Sequence, residues 1–323
     1  MSRAAPLPTA LRGRAFTVVD ARSHGVSASR LRARDLVIPT RGVRAVRLDN
    51  AAVPADETPS QRMERLRDDM LARATRIAPA LPAHQFFSHD LAVAAIGGPL
   101  HYTTARRRDI HVSARHPAGQ PRRAGVIGHR LRERDAAPWR AHELPIEHPA
   151  RIWRQVGATW DLDDLIALGD YLVNPKNGLI TIDDLRGELD AAGDVAGGVL
   201  ARALEEIRVG AETPEETRLR LEIVRAGLPE PQLNWRLFDD RGVFIARVDL
   251  AYPQFRVAPE SDGRVHAFDE KQFARDADRW AAIRAAGWDH VRILSHHLRP
   301  DPSVAVRKVA DALVAAGWRP GAS

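Results

Sequence analysis

The sequence predicts a mixed α/β fold in several domains, and three observations predict it. At 323 residues the chain is longer than one compact domain usually needs. Helical and strand periodicities alternate along its length. Its charges are segregated: Met1 to Asn50 holds ten Arg against three Asp, and His101 to Arg140 holds ten Arg against Asp109, Glu133 and Asp135. Ala211 to Trp280 holds fourteen Asp and Glu against eleven Lys and Arg. Two basic regions ahead of an acidic one suit phosphate grip and metal chemistry on separate modules; any one Arg-rich patch suits a plain solvated surface equally well.

Composition excludes some classes. The lack of cysteine rules out disulfides, thiolate zinc sites and cysteine nucleophiles. No apolar run approaches the ~20 residues of a spanning helix, and Met1 to Pro8 lacks the charged and apolar regions of a secretory signal. The expectation is a cytoplasmic protein with no membrane partner.

Residues 1–50 read as a winged helix that binds DNA. Thr17 caps a short helix through Arg22, and Gly25 stops it. Ser27 caps a second helix, Ala28 to Asp35, presenting Arg30, Arg32 and Arg34. Two short strands follow about a turn from Val37 to Arg44, adding Arg41 and Arg44. In a helix-turn-helix the second helix enters the major groove while flanking basic residues hold phosphates. These five arginines are the DNA-contact candidates, with a solvated face as the plainer reading.

Residues 51–209 read as an α+β middle domain, entered through a Pro- and Asp-containing linker from Asp49 to Ser60. Helices are expected near 60–76 and 89–97, strands at 109–114 and 124–131, and helices at 149–158, 161–172, 182–191 and 197–208. Trp153, Trp160 and Trp280 read as core anchors rather than base-stacking platforms.

Residues 210–323 read as an αβββαβ core followed by a closing helix. Thr213-Pro214 starts a helix that Gly227 and Pro229 end. Strands follow at 232–238, 243–251 and 255–261, the first two joined by Asp239-Asp240-Arg241-Gly242. A helix over 271–286, a strand over 288–294 and a helix over 301–316 complete the domain.

The chemistry concentrates here. In an unbulged hairpin centred between Gln254 and Phe255, Asp249 lies directly opposite Glu260, with Cβ atoms roughly 4.5–5.5 Å apart. Period-two alternation puts Glu260 and Asp262 on one face, with Val248, Leu250 and Val257 on the other. Converging carboxylates repel unless a cation sits among them, so Asp249, Glu260 and Asp262 are the metal-ligand candidates, for Mg²⁺ or Mn²⁺. Such an ion polarises a phosphate oxygen and acidifies a bound water. His266, past the Gly263 turn, is the candidate general base or phosphate holder. Glu216 is either an outer ligand or a first-turn Glu favoured by its helix dipole.

Two resemblances follow from these residues. Residues 10–47, Ser88-His89-Asp90 through Gly97-Gly98, and His148-Pro149-Ala150-Arg151 resemble the actinobacterial proteins related to AbiEi-type antitoxins of abortive-infection systems. That resemblance implies a winged helix, a mixed middle domain and often a nuclease-like domain, with a toxin or other protein encoded nearby as partner. The C-terminal third is similar to the PD-(D/E)XK nuclease superfamily, and more narrowly to very-short-patch-repair-type (Vsr-like) endonuclease domains of unknown function. Their hallmark is Glu-x-Asp-Gly-x-x-His after an Asp-bearing strand.

In this chain Asp249 takes the first acid, Glu260 the second, and Asp262, Gly263 and His266 the remainder. Glu216 matches the acid of the first helix, Asp276 and Arg279 the polar pair of the next, and Gly287-Trp288 with Val291-Arg292 the strand after it. The resemblance implies a restriction-endonuclease-like core. The sequence departs from it at Pro259, which stands where an apolar residue is usual and cannot donate to a β-ladder. It departs again at Ser261, in place of a bulky apolar residue, and Asp262 occupies the position of the superfamily's lysine, as is usual in this subgroup.

Two functions are expected. One is a Mg²⁺-dependent endonuclease, a phosphodiester hydrolase whose N-terminal module grips DNA; RNA stays open as the target. The other is an inactive, antitoxin-like transcriptional regulator that keeps the nuclease fold as a scaffold.

Overall fold

The computed structural model describes residues 4–47, 53, 57–100, 110–132, 139–239, 241–262 and 270–321. They form two compact units, Met1–Val156 and Gly157–Ser323, of mixed α/β composition. No helix among the described residues is long and apolar enough to cross a membrane.

The first unit begins with β1 (Phe16–Thr17), α1 (Val18–Ser23), β2 (Leu36–Val37) and β3 (Val43–Val46). Thr17 caps α1 as expected, its hydroxyl accepting the Asp20 N–H at 2.9 Å. The strands form an antiparallel sheet in the order β1-β3-β2. The helix expected over 28–35 is only a 3-10 turn, Arg30–Arg32, and Ala33 is already extended. Leu31 is its one buried residue, so no apolar stripe exists to hold a longer helix.

Beyond it come α2 (Pro59–Ile77), β4 (Gln85–Phe87), α3 (His89–Ala95), β5 (Ile110–Ala114), β6 (Val126–Arg130), β7 (Trp139–Ala141), β8 (Leu144–Ile146) and α4 (Pro149–Gly157). Most of the expected linker lies outside the described residues. The sheet runs β6-β5-β4-β8-β7, mixed in direction. Strands β4, β7 and β8 escape the sequence reading because three residues are too few to show a period of two. Gly128 in β6 is required: a Cβ there would meet the Pro121 carbonyl oxygen at 1.9 Å.

The second unit holds α5 (Leu162–Val173), α6 (Ile182–Ala192), α7 (Val199–Glu206), α8 (Pro214–Arg225), β9 (Gln232–Phe238), β10 (Phe244–Ala251), β11 (Val257–Asp262), α9 (Glu270–Ala285), β12 (Asp289–Leu294), α10 (Ser295–Leu298) and α11 (Ser303–Ala315). The division at 156/157 precedes the 209/210 expected from the sequence. Asp170 explains why the helices from 162 onward belong here. Its buried carboxylate accepts from the Arg208 N–H (2.7 Å), the Thr217 hydroxyl (2.8 Å) and the Arg220 guanidinium (3.0 Å), tying α5 to α8.

The order α8-β9-β10-β11-α9-β12 is the expected αβββαβ sequence of elements. Strands β9 and β10 pair antiparallel, and β11 and β12 pair parallel. Leu250, Val257, Val291 and Ile293 pack with Leu219 and Ile223 of α8 and with Val309 and Leu313 of α11. Ala246, Val248 and Ala258 pack with Ile283 of α9. Val248 therefore joins a different cluster from Leu250 and Val257, contrary to the single shared face expected.

Strands β10 and β11 meet at one antiparallel bridge, Tyr252↔Val257, and no ladder pair joins them beyond it among the described residues, leaving a fork in the hydrogen-bond ladder. The register matches the expected hairpin; the continuous ladder does not form. With Tyr252 and Val257 as a hydrogen-bonded pair, the next such pair is Leu250 and Pro259. Pro259 has no N–H to give, so the second rung is lost and the strands fork.

Candidate active site

The fork is where the acids gather. The Ser261 N–H, with no regular ladder partner on β10, donates to Asp249 Oδ2 at 3.0 Å. Glu260, the residue before it, is gripped at both oxygens. Arg279 of α9 reaches Oε1 at 2.8 Å, and His290 of β12 meets Oε2 at 2.7 Å. The same Arg279 nitrogen also donates to the Arg247 carbonyl at 2.8 Å, so it spans the two strands of the fork. The His290 ring lies against Trp280, whose other neighbour is the Arg292 guanidinium, 4.4 Å from its centroid.

Glu216 enters from the first turn of α8. Thr213 caps that helix, accepting the Glu216 N–H at 3.2 Å and donating its hydroxyl to Glu216 Oε1 at 3.0 Å. The Glu212 N–H donates to Oε2 at 2.9 Å. The carboxylate is thus used by the helix N-terminus and is buried, 5% exposed. Its role in capping and its place beside Asp249 coexist.

Electrostatics single out Asp249. Burial, then the neighbouring charges of Glu216 and Glu260, push its carboxyl up to about 7, against the opposing pull of the Ser261 N–H and Arg279. Burial also raises Glu216, opposed by the hydrogen bonds from Glu212 and Thr213. Glu260 behaves oppositely: burial pushes its carboxyl upward, but the hydrogen bonds from His290 and Arg279 win and hold it below the usual range.

A divalent ion can be tested against this arrangement. Asp249 is buried and feels the charges of Glu216 and Glu260, and burial first and these charges second push its carboxyl up to about 7, which fits a cation held at Asp249. Both Glu260 oxygens already have cationic or imidazole partners, so an ion reaching Glu260 must displace one of them. Among the described residues these acids do not bring three ligand atoms within 4.8 Å of one another; the group that does is His89, His111 and His129.

The structure therefore brings together Asp249, Glu260 and Glu216. Asp262 ends β11, but its side chain, that of Asp276, and the whole of His266 and Gly263 lie outside the described residues. Arg279, matched in sequence as a polar-pair residue, takes Glu260 as its partner. His290 was not singled out from the sequence; a parallel ladder pairing Ala258 with His290 places it beside Glu260, a relation no local pattern carries.

The N-terminal arginines divide in two. Arg30 forms a forked pair with Asp35 at 2.9 and 2.6 Å and donates to the Ala5 carbonyl. Arg44 donates to the Leu31 and Val43 carbonyls, each at 2.9 Å. Arg32, Arg34 and Arg41 are exposed. Trp153 and Trp160 are buried as core anchors.

No family model matches the chain, and no solved structure matches it. Over 115 residues it is 32% identical to two uncharacterized proteins of Mycobacterium tuberculosis: MT2308 of strain CDC 1551 / Oshkosh, and Rv2248 of strain ATCC 25618 / H37Rv. The match takes in 35% of this chain and 42% of each relative, so it spans less than half the length of the curated relatives it matches.

Proposed function

We propose that the C-terminal unit is a metal-dependent endonuclease of the Vsr-like, restriction-endonuclease-like type, acting on DNA gripped by the exposed arginines of the N-terminal module. The observation that carries the reading is the crowding of Glu216, Asp249 and Glu260 at a fork in the sheet, with Asp249 raised to about 7. Such an arrangement lowers its energy by taking up a cation. Asp249 and Glu260, joined by Asp262, would hold Mg²⁺ or Mn²⁺. Bound there, the ion supplies Lewis acidity toward a phosphate oxygen and acidifies a water.

The chain's own groups do the rest. The Ser261 amide fixes the Asp249 carboxylate. Arg279 staples the two strands and sits close enough to the acids to face a phosphate once Glu260 turns to the metal. His290 orients Glu260. His266 is retained as general base or phosphate holder, and Glu216 adds negative charge behind Asp249 to favour the ion. Arg32, Arg34 and Arg41 are the arginines suited to phosphate contact, since Arg30 and Arg44 are engaged within the unit.

A second reading has its own support: with both Glu260 oxygens taken by Arg279 and His290, the site is partly neutralised without metal. This suits an inactive, antitoxin-like regulator that binds DNA and acts with a toxin encoded nearby. Incubation of plasmid and mismatched duplex with Mg²⁺ or Mn²⁺ separates the two. Nicking by the wild type and not by Asp249→Ala is the endonuclease; equal DNA binding by both with no cutting is the regulator.

A further inference from the structure

We propose that His89, His111 and His129 form a zinc site in the first unit, separate from the acids of the second. The three come from distant stretches of chain: His89 opens α3, His111 lies in β5 and His129 in the adjoining β6. Each offers a ligand nitrogen, and these nitrogens all lie within 4.8 Å of one another. His111 Nδ1 and His129 Nε2 are 2.9 Å apart with the rings 10° from parallel, so they meet edge to edge. The His89 ring lies over both, 4.0 Å from His129 and 4.8 Å from His111 between centroids.

Two nitrogens bound to one zinc at 2.0–2.1 Å in tetrahedral geometry are separated by about 3.3 Å. The His111–His129 contact of 2.9 Å is a little shorter than that value, and every other pair of ligand nitrogens lies within 4.8 Å. Binding needs the His111–His129 contact to open slightly and the His89 ring to turn its edge inward.

Two further features mark the cluster as built. His89 has φ of 53°, a left-handed conformation rare for a residue with a side chain, which persists only where the surroundings enforce it. Its N–H is taken by Gln155 Oε1. Its Nδ1 is held by Ser88 Oγ at 3.0 Å, and Ser88 is held in turn by the Ser113 hydroxyl at 2.8 Å, both serines fully buried. A ligand histidine makes this kind of outer hydrogen bond through one nitrogen while the other, here Nε2, faces the ion. Gly128, beside His129, admits no side chain and so fixes where β6 runs.

Imidazole nitrogen selects a borderline transition metal over Mg²⁺ or Ca²⁺, which take oxygen. Zinc binds imidazole in its neutral form, through a ring nitrogen lone pair. Three protein ligands leave a fourth position for water or an anion. The ion would clamp the start of α3 onto the β5–β6 edge of the sheet.

The test uses the full-length, tag-free, chelator-stripped protein titrated with ZnCl₂ by calorimetry. The expected result is one zinc per chain, with affinity at least about tenfold weaker in His129→Gln and in His111→Gln. With excess Mg²⁺ present to occupy the acids, the wild type still takes up one zinc, separating this site from theirs. Imidazole ¹⁵N resonances of the wild type, which need no variant to fold, shift for His89, His111 and His129 on zinc addition. No uptake by the folded wild type, wild-type binding by both histidine variants, or shifts confined to other histidines would overturn the proposal.

Discussion

Asp249 accepts the Ser261 N–H at 3.0 Å, a bond made by a side chain where a regular hairpin would use the backbone of β10. The cause is two residues earlier, at Pro259. Restoring an N–H there, as in Pro259→Val, permits the missing rung to Leu250. Hydrogen exchange should then show a protected amide at position 259. Exchange at the rate of an unstructured amide would mean that the fork has another cause.

Asp249 holds its proton more tightly in the folded than in the unfolded chain, because its carboxyl is raised to about 7 from an ordinary 3.8. The stabilisation this gives is complete below about pH 4 and is lost as the pH climbs through 7. Without metal, the wild type should lose roughly 2–4 kcal/mol relative to Asp249→Asn between pH 4 and 8. Urea unfolding across that range, in chelator, measures it. Parallel stability curves for the two proteins would remove the case for a perturbed Asp249.

Arg279 lowers both Asp249 and Glu260. In Arg279→Ala both acids ionise at higher pH, so the acidic limb of a cleavage-rate profile moves upward. Arg279→Lys keeps the charge and should recover part of the shift. A profile unmoved by the alanine change would assign Arg279 to packing alone.

Asp170 and Arg220 are both almost fully buried and paired at 3.0 Å. Arg220→Met leaves the carboxylate without its cation and should cost about 3–5 kcal/mol of unfolding free energy. Adding Asp170→Asn to that variant should recover part of the loss. A single-variant cost below about 1 kcal/mol would contradict the role given to this pair in joining α5 to α8.

If the first unit grips DNA through exposed arginines, removing each phosphate contact should lower the salt dependence of binding by about 0.9 in log–log slope. Arg32→Ala, Arg34→Ala and Arg41→Ala are the variants expected to do so. Arg30→Ala, which breaks the pair with Asp35, should instead lower the melting temperature. The reverse pattern would overturn this division.

What the sequence made legible was local. Thr17 and Thr213 read correctly as helix caps, and β9 spans the expected residues, because capping and alternation are properties of a few neighbours. Pro259 was visible as a break in a strand, but the fork it opens depends on which rung falls at that residue. The Ser27 cap ahead of Ala28 to Asp35 points to a helix, yet Leu31 alone is buried and Arg30 folds back to Asp35. His290 and the trio of His89, His111 and His129 were not legible. Their partners lie 18 to 40 residues away: parallel strand pairing brings His290 beside Glu260 and His111 beside His129, and the start of α3 adds His89.

The most direct test is single-turnover cleavage of labelled duplex DNA by wild type and Asp249→Asn, with Mg²⁺ and with chelator, after circular dichroism has shown both folded. The expected result is cutting that requires the metal and falls at least about a hundredfold in the variant. Equal rates in the two proteins, or cutting that persists in chelator, would contradict it.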